Sequence, residues 1–471
     1  MSVARSHWFT DRIAFWALAA AVGGAPLPFG SRDTSVVAVW CGLLGIGLVF
    51  APLRHLRRPH LWMLGVIGLL VASYAVVLHE QLSTTPWIAA FHPVWAHAEQ
   101  ILAAPVQPAV SIVRYEPFFA VGAPLANILA LSLGLIVGTD RGNARAILKT
   151  VAWAGVVHAV YGLYAMVADP MTILGHERPA YIGNLTGTFI NRNTAATYFG
   201  SVSIVWFLMV LEQARKLVPE EQVSWARFWT VLSTDDASRH ALLVPFAMLF
   251  LCLTATFLTV SRAGTMLTVF VLALTFAIHF RRRVRASRGL LFVGAAAAVA
   301  TMIFLLFGGG VGSRFEAEGL SDGGRTAAWA STLKIISDQP WFGTGLGTFA
   351  WAFPAYRGET VSMWGVWDMA HSTPLELASE VGVPLALLLG LFWCGALLVL
   401  VRGAIMRRRD RLIPLTAFGV GLLGILHSTV DFSLQVPGYG IVAFGLVGIG
   451  LAHAVRTAPP QQQGHKFIRH N

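Results

Sequence analysis

Apolar runs of about 18 residues or more, separated by polar stretches, recur along the whole chain. They fall at about 13–30, 34–52, 61–78, 118–138, 150–168, 193–212, 241–259, 264–280, 289–307, 376–401, 412–430 and 436–455. A run of that length with few charges matches the hydrocarbon thickness of a bilayer when it is helical. The pattern predicts an all-α integral membrane protein with about twelve transmembrane helices. The polar stretch between the ninth and tenth runs, about 308–374, is far longer than an ordinary helix connection. A connection that long is usually functional. It carries Arg314, Arg325, Lys334, Arg357, Asp368 and His371, with tryptophans at 329, 341, 351, 364 and 367.

Charge gives the runs a direction. With the N-terminus inside, the alternate loops on the inner side hold 25 of the 34 Lys and Arg residues. Lys and Arg accumulate in cytoplasmic loops, so both termini are expected in the cytoplasm and the 308–374 stretch outside. Nine basic residues remain on the outer side: Arg32, Arg114, Arg178, Arg192, Arg262, Arg314, Arg325, Lys334 and Arg357. Two other outer stretches are substantial, about 79–117 and 169–192. The first, rich in proline and with Trp87 and Trp95, reads as a cap at the membrane surface. A short helix broken by proline is expected within 96–113.

Composition fits the same class. The chain is 56% hydrophobic and only 12% charged, with mean hydropathy +0.65, against about a quarter charged residues in a soluble domain. The net charge of +11 is explained by the basic loops. No basic face interleaves with exposed aromatics, so nucleic acid is not an expected partner. Cys41, Cys252 and Cys394 all lie in apolar runs and read as small buried hydrophobes, giving neither disulfides nor a zinc site. The first apolar run is read as a retained helix and not a cleaved signal. The expected organisation is a polytopic membrane domain over 1–456 and a disordered cytoplasmic tail over 457–471.

The outward basic residues carry the candidate chemistry. Arg192 lies in Gly187-Thr-Phe-Ile-Asn-Arg-Asn193, just before an apolar run. Arg262 lies in Leu258-Thr-Val-Ser-Arg-Ala-Gly264, a tight break between two runs. Arg325 follows Asp322-Gly-Gly and opens an amphipathic stretch. Each reads either as an interfacial anchor or structural pair, or as part of an anion clamp, since guanidinium groups grip phosphate oxygens bidentately. His371, in Asp368-Met-Ala-His-Ser-Thr-Pro374, is either an interfacial histidine or a general base. Glu376 and Glu380 follow on one helix face. His427 and Asp431 stand four apart, as a buried structural pair or as the proton relay of a transporter, with Glu80. No HExxH or close His/Cys/carboxylate spacing is present, so no metal and no cofactor are expected. Gly343-Thr-Gly-Leu-Gly347 follows no strand and reads as a tight turn where backbone approaches a partner.

Several of these segments together resemble a known family. GTFINRNTAATYF, LTVSRAG, GRTAAWASTLKIISDQPWFGTGLGTF with a following FPAYR, AHSTPLELASEVG and HSTVDFSLQVP are similar, in order and spacing, to the O-antigen ligase and polymerase superfamily. The resemblance covers roughly 180–440. It implies a bacterial inner-membrane enzyme of glycosyltransferase-C-like helical architecture, working without metal. Such an enzyme takes a glycan from undecaprenyl pyrophosphate on the periplasmic side. It delivers the glycan to lipid A–core, to a growing glycan or to a protein hydroxyl. By matching positions, Arg192 and Arg262 would hold the donor pyrophosphate, Arg325 would assist less directly, and His371 would activate the acceptor. Many relatives have His-Asn where this chain has His371-Ser372. The competing classes are a transporter using the His427/Asp431 relay and a non-catalytic scaffold.

Overall fold

The structure is a computed structural model. It describes residues 2–217, 236–281, 323–359, 361, 367–407 and 410–455. The expected ninth span at 289–307, Arg314 and the tail at 457–471 lie outside these residues.

The regular structure of the described residues is helical, apart from a hairpin pairing Thr172–Ile173 with His176–Glu177. Among the described residues eight helices are long and apolar enough to cross a membrane: Arg58–Leu82, Glu116–Val137, Arg141–Ala168, Arg192–Lys216, Arg239–Leu258, Arg262–Phe280, Val383–Met406 and Pro437–Ala454. Thr34–Val49 and Leu412–Ser428 are shorter apolar helices, and Ser2–Gly24 opens the chain as a further helix. Helices satisfy every backbone group internally, which is what lipid demands.

Two helices form the centre of the bundle. Pro437–Ala454 and Arg192–Lys216 have 89% and 83% of their apolar windows buried. Glycine makes this possible. A Cβ on Gly134 would lie 2.5 Å from the Gly445 carbonyl oxygen, and one on Gly138 would lie 2.7 Å from Ile449 Cα. Helix 122–137 therefore packs backbone to backbone on helix 437–454. Small residues at such interfaces are how apolar helices associate in lipid, where hydrophobic burial gives no advantage over the acyl chains.

The run expected as one span at 376–401 is two helices. Thr373–Val381 stops at Gly382, whose φ is +84°, and Val383–Met406 begins there. A Cβ on Gly382 would overlap the Trp341 carbonyl, and Val383 N–H donates to Pro340 O at 2.8 Å. The polar stretch docks its backbone into this break. Its described part is a folded helical cap with its own small core of Ala328, Ile335, Phe349, Phe353, Val361 and Ala370. Gly343, Gly345 and Gly347 all take positive φ. A Cβ on Gly347 would lie 2.5 Å from Ala120 Cβ, so the turn read from its glycines is a point of close backbone approach. In the 79–117 stretch, helix Val94–Leu102 ends on left-handed Ala103 before Pro105 and Pro108.

Candidate active site

The site is built where helix starts meet. Asn191 begins helix 192–217: its Oδ1 accepts the N–H groups of Asn193 at 2.6 Å and Thr194 at 3.3 Å. A short polar side chain at a helix start satisfies donors that have no intrahelical partner. Ser261 does the same for helix 262–280, accepting Gly264 N–H at 3.3 Å. The two starts are joined directly, since Ser261 Oγ donates to Asn193 Oδ1 at 2.9 Å. Gly264 lets the helices close up, because a Cβ there would sit 2.5 Å from Ala196 Cβ. Arg192 and Arg262 are the first residues of these adjoining helices. They therefore stand at the same end of the bundle. The Arg192 guanidinium lies 5.3 Å from the centre of the Tyr181 ring. Buried Arg178 shapes the loop beneath that ring, donating to the carbonyls of Tyr181 at 3.2 Å and Asn184 at 2.9 Å.

Asp431 ties the parts together. Its carboxylate is 1% exposed. Oδ1 accepts Phe432 N–H at 2.8 Å, and Oδ2 accepts the Asn193 side-chain amide. Arg325, in the first turn of helix 323–338, reaches Oδ2 at 3.4 Å and donates to Val430 O at 2.9 Å. His371 Nδ1 lies 3.9 Å from the same Oδ2, longer than a direct hydrogen bond. Burial alone raises the Asp431 carboxyl, but His371, His427 and Arg325 around it outweigh burial and hold it at about 2. Asp431 is therefore a carboxylate at neutral pH.

His371 is held in an unusual conformation. Its φ is +52°, a region that non-glycine residues occupy only when their surroundings enforce it. Both backbone polar groups of the preceding residue are fixed. Ala370 N–H donates to Glu376 Oε2 at 2.6 Å, and Ala370 O accepts Trp329 Nε1 at 3.1 Å. Beyond it, Thr373 N–H donates to Asp431 O at 3.3 Å. Glu376 also accepts Gln435 Nε2 at 2.7 Å, so one carboxyl ties the His371 segment to the Asp431 segment. Burial and neighbouring Glu380 push the Glu376 carboxyl up. The His371 ring rests between Trp367 and Phe432, with centroids 5.7 and 5.2 Å away.

The expected pairing of His427 with Asp431 takes another form. His427 Nδ1 meets Ser433 Oγ at 3.0 Å, and Ser433 in turn meets Thr197 Oγ1 at 3.1 Å. Asp431 turns to Asn193, Arg325 and His371. A relay through a direct His427–Asp431 bond is absent among the described residues.

Residues 247–390 match a family model described as O-antigen ligase. The match, over about a third of the chain, supports the O-antigen ligase/polymerase superfamily. No curated protein matches it. The matched segment includes Arg262, Arg325 and His371, whereas Arg192 and Asp431 come from outside it. Together with the eight apolar helices long enough to cross a membrane among the described residues, the match supports a helical membrane protein of a glycan-transferring class in general.

Beside the His371 segment lies a cavity of 310 Å³. Its polar end is formed by Asp368, Thr373, Glu376 and Gln435, and its apolar end by Leu389 and Trp393. That gradient suits an amphiphile. The connectors that sequence reading missed are Asn193 and Ser261, visible only as polar residues at the edges of apolar runs; Glu376 and Asp431 were singled out, Asp431 with His427 as its expected partner.

Proposed function

We propose that this protein transfers a glycan from undecaprenyl pyrophosphate to an acceptor hydroxyl on the periplasmic face of the bacterial inner membrane. The observation that carries the reading is convergence at Asp431. His371 and Arg325 approach its Oδ2, and Asn193 and Ser261 link it to the helix starts that bear Arg192 and Arg262.

Arg192 and Arg262 hold the pyrophosphate at the positive ends of the helices they begin. Arg325 is the weaker of the three for this work, because its guanidinium is already directed at Val430 O and Asp431. The acceptor hydroxyl oxygen attacks the anomeric carbon. The bond from that carbon to the phosphate oxygen breaks, and its electron pair leaves with undecaprenyl pyrophosphate. The hydroxyl proton passes to Nε2 of His371, since Nδ1 is the nitrogen on the Asp431 side. Ionised Asp431 then stabilises the imidazolium, as carboxylates do for catalytic histidines. The 310 Å³ cavity supports an amphiphilic substrate beside this centre.

The test uses purified full-length protein in nanodiscs, given undecaprenyl-pyrophosphate-linked glycan and glycan, lipid A–core or peptide acceptors. Release of undecaprenyl pyrophosphate should require an acceptor. It should fall roughly 10²–10⁴-fold in His371→Ala, the usual worth of a general base, with thermal unfolding unchanged. Equal release by wild type and variant would remove His371 from the chemistry.

A further inference from the structure

A second cavity lies away from the site, in a cleft of 670 Å³ between helix 58–82 and helix 383–406. Its walls include Trp62, Val66, Leu391 and Gly395, and Leu451 contributes from helix 437–454. Arg58 is the one charged residue that lines it. Arg58 is exposed and makes no hydrogen bond or ion pair among the described residues, whereas neighbouring Arg54 is bonded to Asp11. At the opposite end helix 58–82 is tied to the polar cap and to helix 373–381, which leads into helix 383–406. Gln81 donates to Phe342 O at 2.7 Å and Glu380 O at 2.8 Å, and accepts Leu346 N–H at 3.0 Å. The open part of the cleft is the half nearer Arg58.

Its dimensions name the occupant. From Arg58 to Leu70 the helix rises about 18 Å, close to the thickness of one leaflet's hydrocarbon, about 15 Å. Trp62, one turn from Arg58, is 78% exposed, where an aromatic ring at headgroup level belongs. A guanidinium at the mouth of an apolar slot matches a phosphate with an acyl chain below it. A membrane-crossing helix from another protein would run the full bilayer and leave this charge unmatched.

We propose that the cleft binds one anionic phospholipid from the leaflet at the arginine-rich end of the bundle. Its phosphate sits on Arg58 and one acyl chain runs along the helices to Leu70. The lipid fills the space between two helices whose other ends are fixed to the segments that hold the Glu376–Glu380 helix.

The experiment is native mass spectrometry of the delipidated full-length protein, titrated with phosphatidylglycerol and with phosphatidylcholine. Wild type should retain one phosphatidylglycerol in preference to phosphatidylcholine. Arg58→Gln should weaken phosphatidylglycerol about five-fold, the order expected for one basic residue at a lipid headgroup, and leave phosphatidylcholine unchanged. Gly395→Leu should exclude both lipids. A Cβ at Gly395 meets nothing within 4 Å, so the new side chain fills the cleft without disturbing the fold. Unchanged phosphatidylglycerol binding in Arg58→Gln overturns the headgroup assignment. Unchanged binding in Gly395→Leu overturns the site, as does a copurifying second protein that occupies the cleft in place of lipid.

Discussion

Two aspartates bracket helix 412–428, and each is approached by two basic side chains. At the basic end, Asp410 meets Arg141 at 2.7 Å and Arg145 at 3.2 Å. At the other end, Asp431 meets Arg325 at 3.4 Å and His371 at 3.9 Å. Each pattern includes a left-handed residue, Asp410 itself at φ +55° and His371 at φ +52°. The distances alone would rank Asp410 as the stronger centre. Burial reverses that order. Asp410 is 12% exposed and its arginines 52% and 38%, whereas Asp431 is 1% exposed. Water screens the first set, and exposed ion pairs contribute roughly 0–1 kcal/mol. The second set has exchanged water for fixed partners, so its charges act on one another and on whatever enters. The same pairing of a carboxylate with basic side chains serves as a rivet in one place and as a candidate reaction centre in the other.

The comparison can be broken most directly at Asp431. Asp431→Asn removes the charge that Arg325 and His371 share. Losing one partner of a buried pair costs about 3 kcal/mol or more, so the variant should melt well below wild type and lose turnover. A variant as stable and active as wild type would equate the two aspartates. Next in size, Arg262→Ala should reduce turnover roughly 10²–10³-fold, as expected when a charge-stabilising donor is lost. Arg141→Ala at the other end should leave turnover unchanged. Equal effects of the two arginine changes would dissolve the distinction between the ends.

Acid sharpens the comparison next. The Asp431 carboxyl is held at about 2 in the fold, below its ordinary 3.8. A group whose folded value is depressed stabilises the fold fully above its unfolded value and ceases to do so as pH falls through the folded value. About two units correspond to roughly 2–3 kcal/mol, present above pH about 4 and lost toward pH about 2. In melting curves against pH, Asp431→Asn should flatten the wild-type decline across that window. A decline of the same depth in the variant would assign acid sensitivity elsewhere. The smallest effect is expected for Asp410→Asn, which should shift stability by no more than about 1 kcal/mol and leave turnover intact.

Much of the architecture was legible from patterning. Eleven of the twelve apolar runs lie on helices, because a hydrocarbon solvent leaves helices as the simple way to satisfy backbone groups. The break at Gly382 was hidden. Hydropathy continues across it, and the cause is a distant backbone, Pro340 to Phe342, that packs against it. In the site, Arg192, Arg262 and Arg325 were singled out because charge outside the basic loops defies the topological bias, and His371 because an imidazole directly before a span can serve as a general base. Asp431 was assigned to His427 because the two stand four apart on one face. The fold gave Ser433 to His427 instead, since residue 431 lies past the end of helix 412–428.

The sequence by itself determined the solvent, the helical class and the candidate cations, because hydropathy and charge accumulate locally along a chain. The superfamily, too, is carried by local motifs. Tertiary structure decided which of those residues share a carboxylate. Asn193 and Asp431 are 238 residues apart, and Arg325 and Asp431 are 106 apart. No local pattern records such pairings, because they exist only after glycine-lined helices have packed closely enough to exclude water from the charges they bring together.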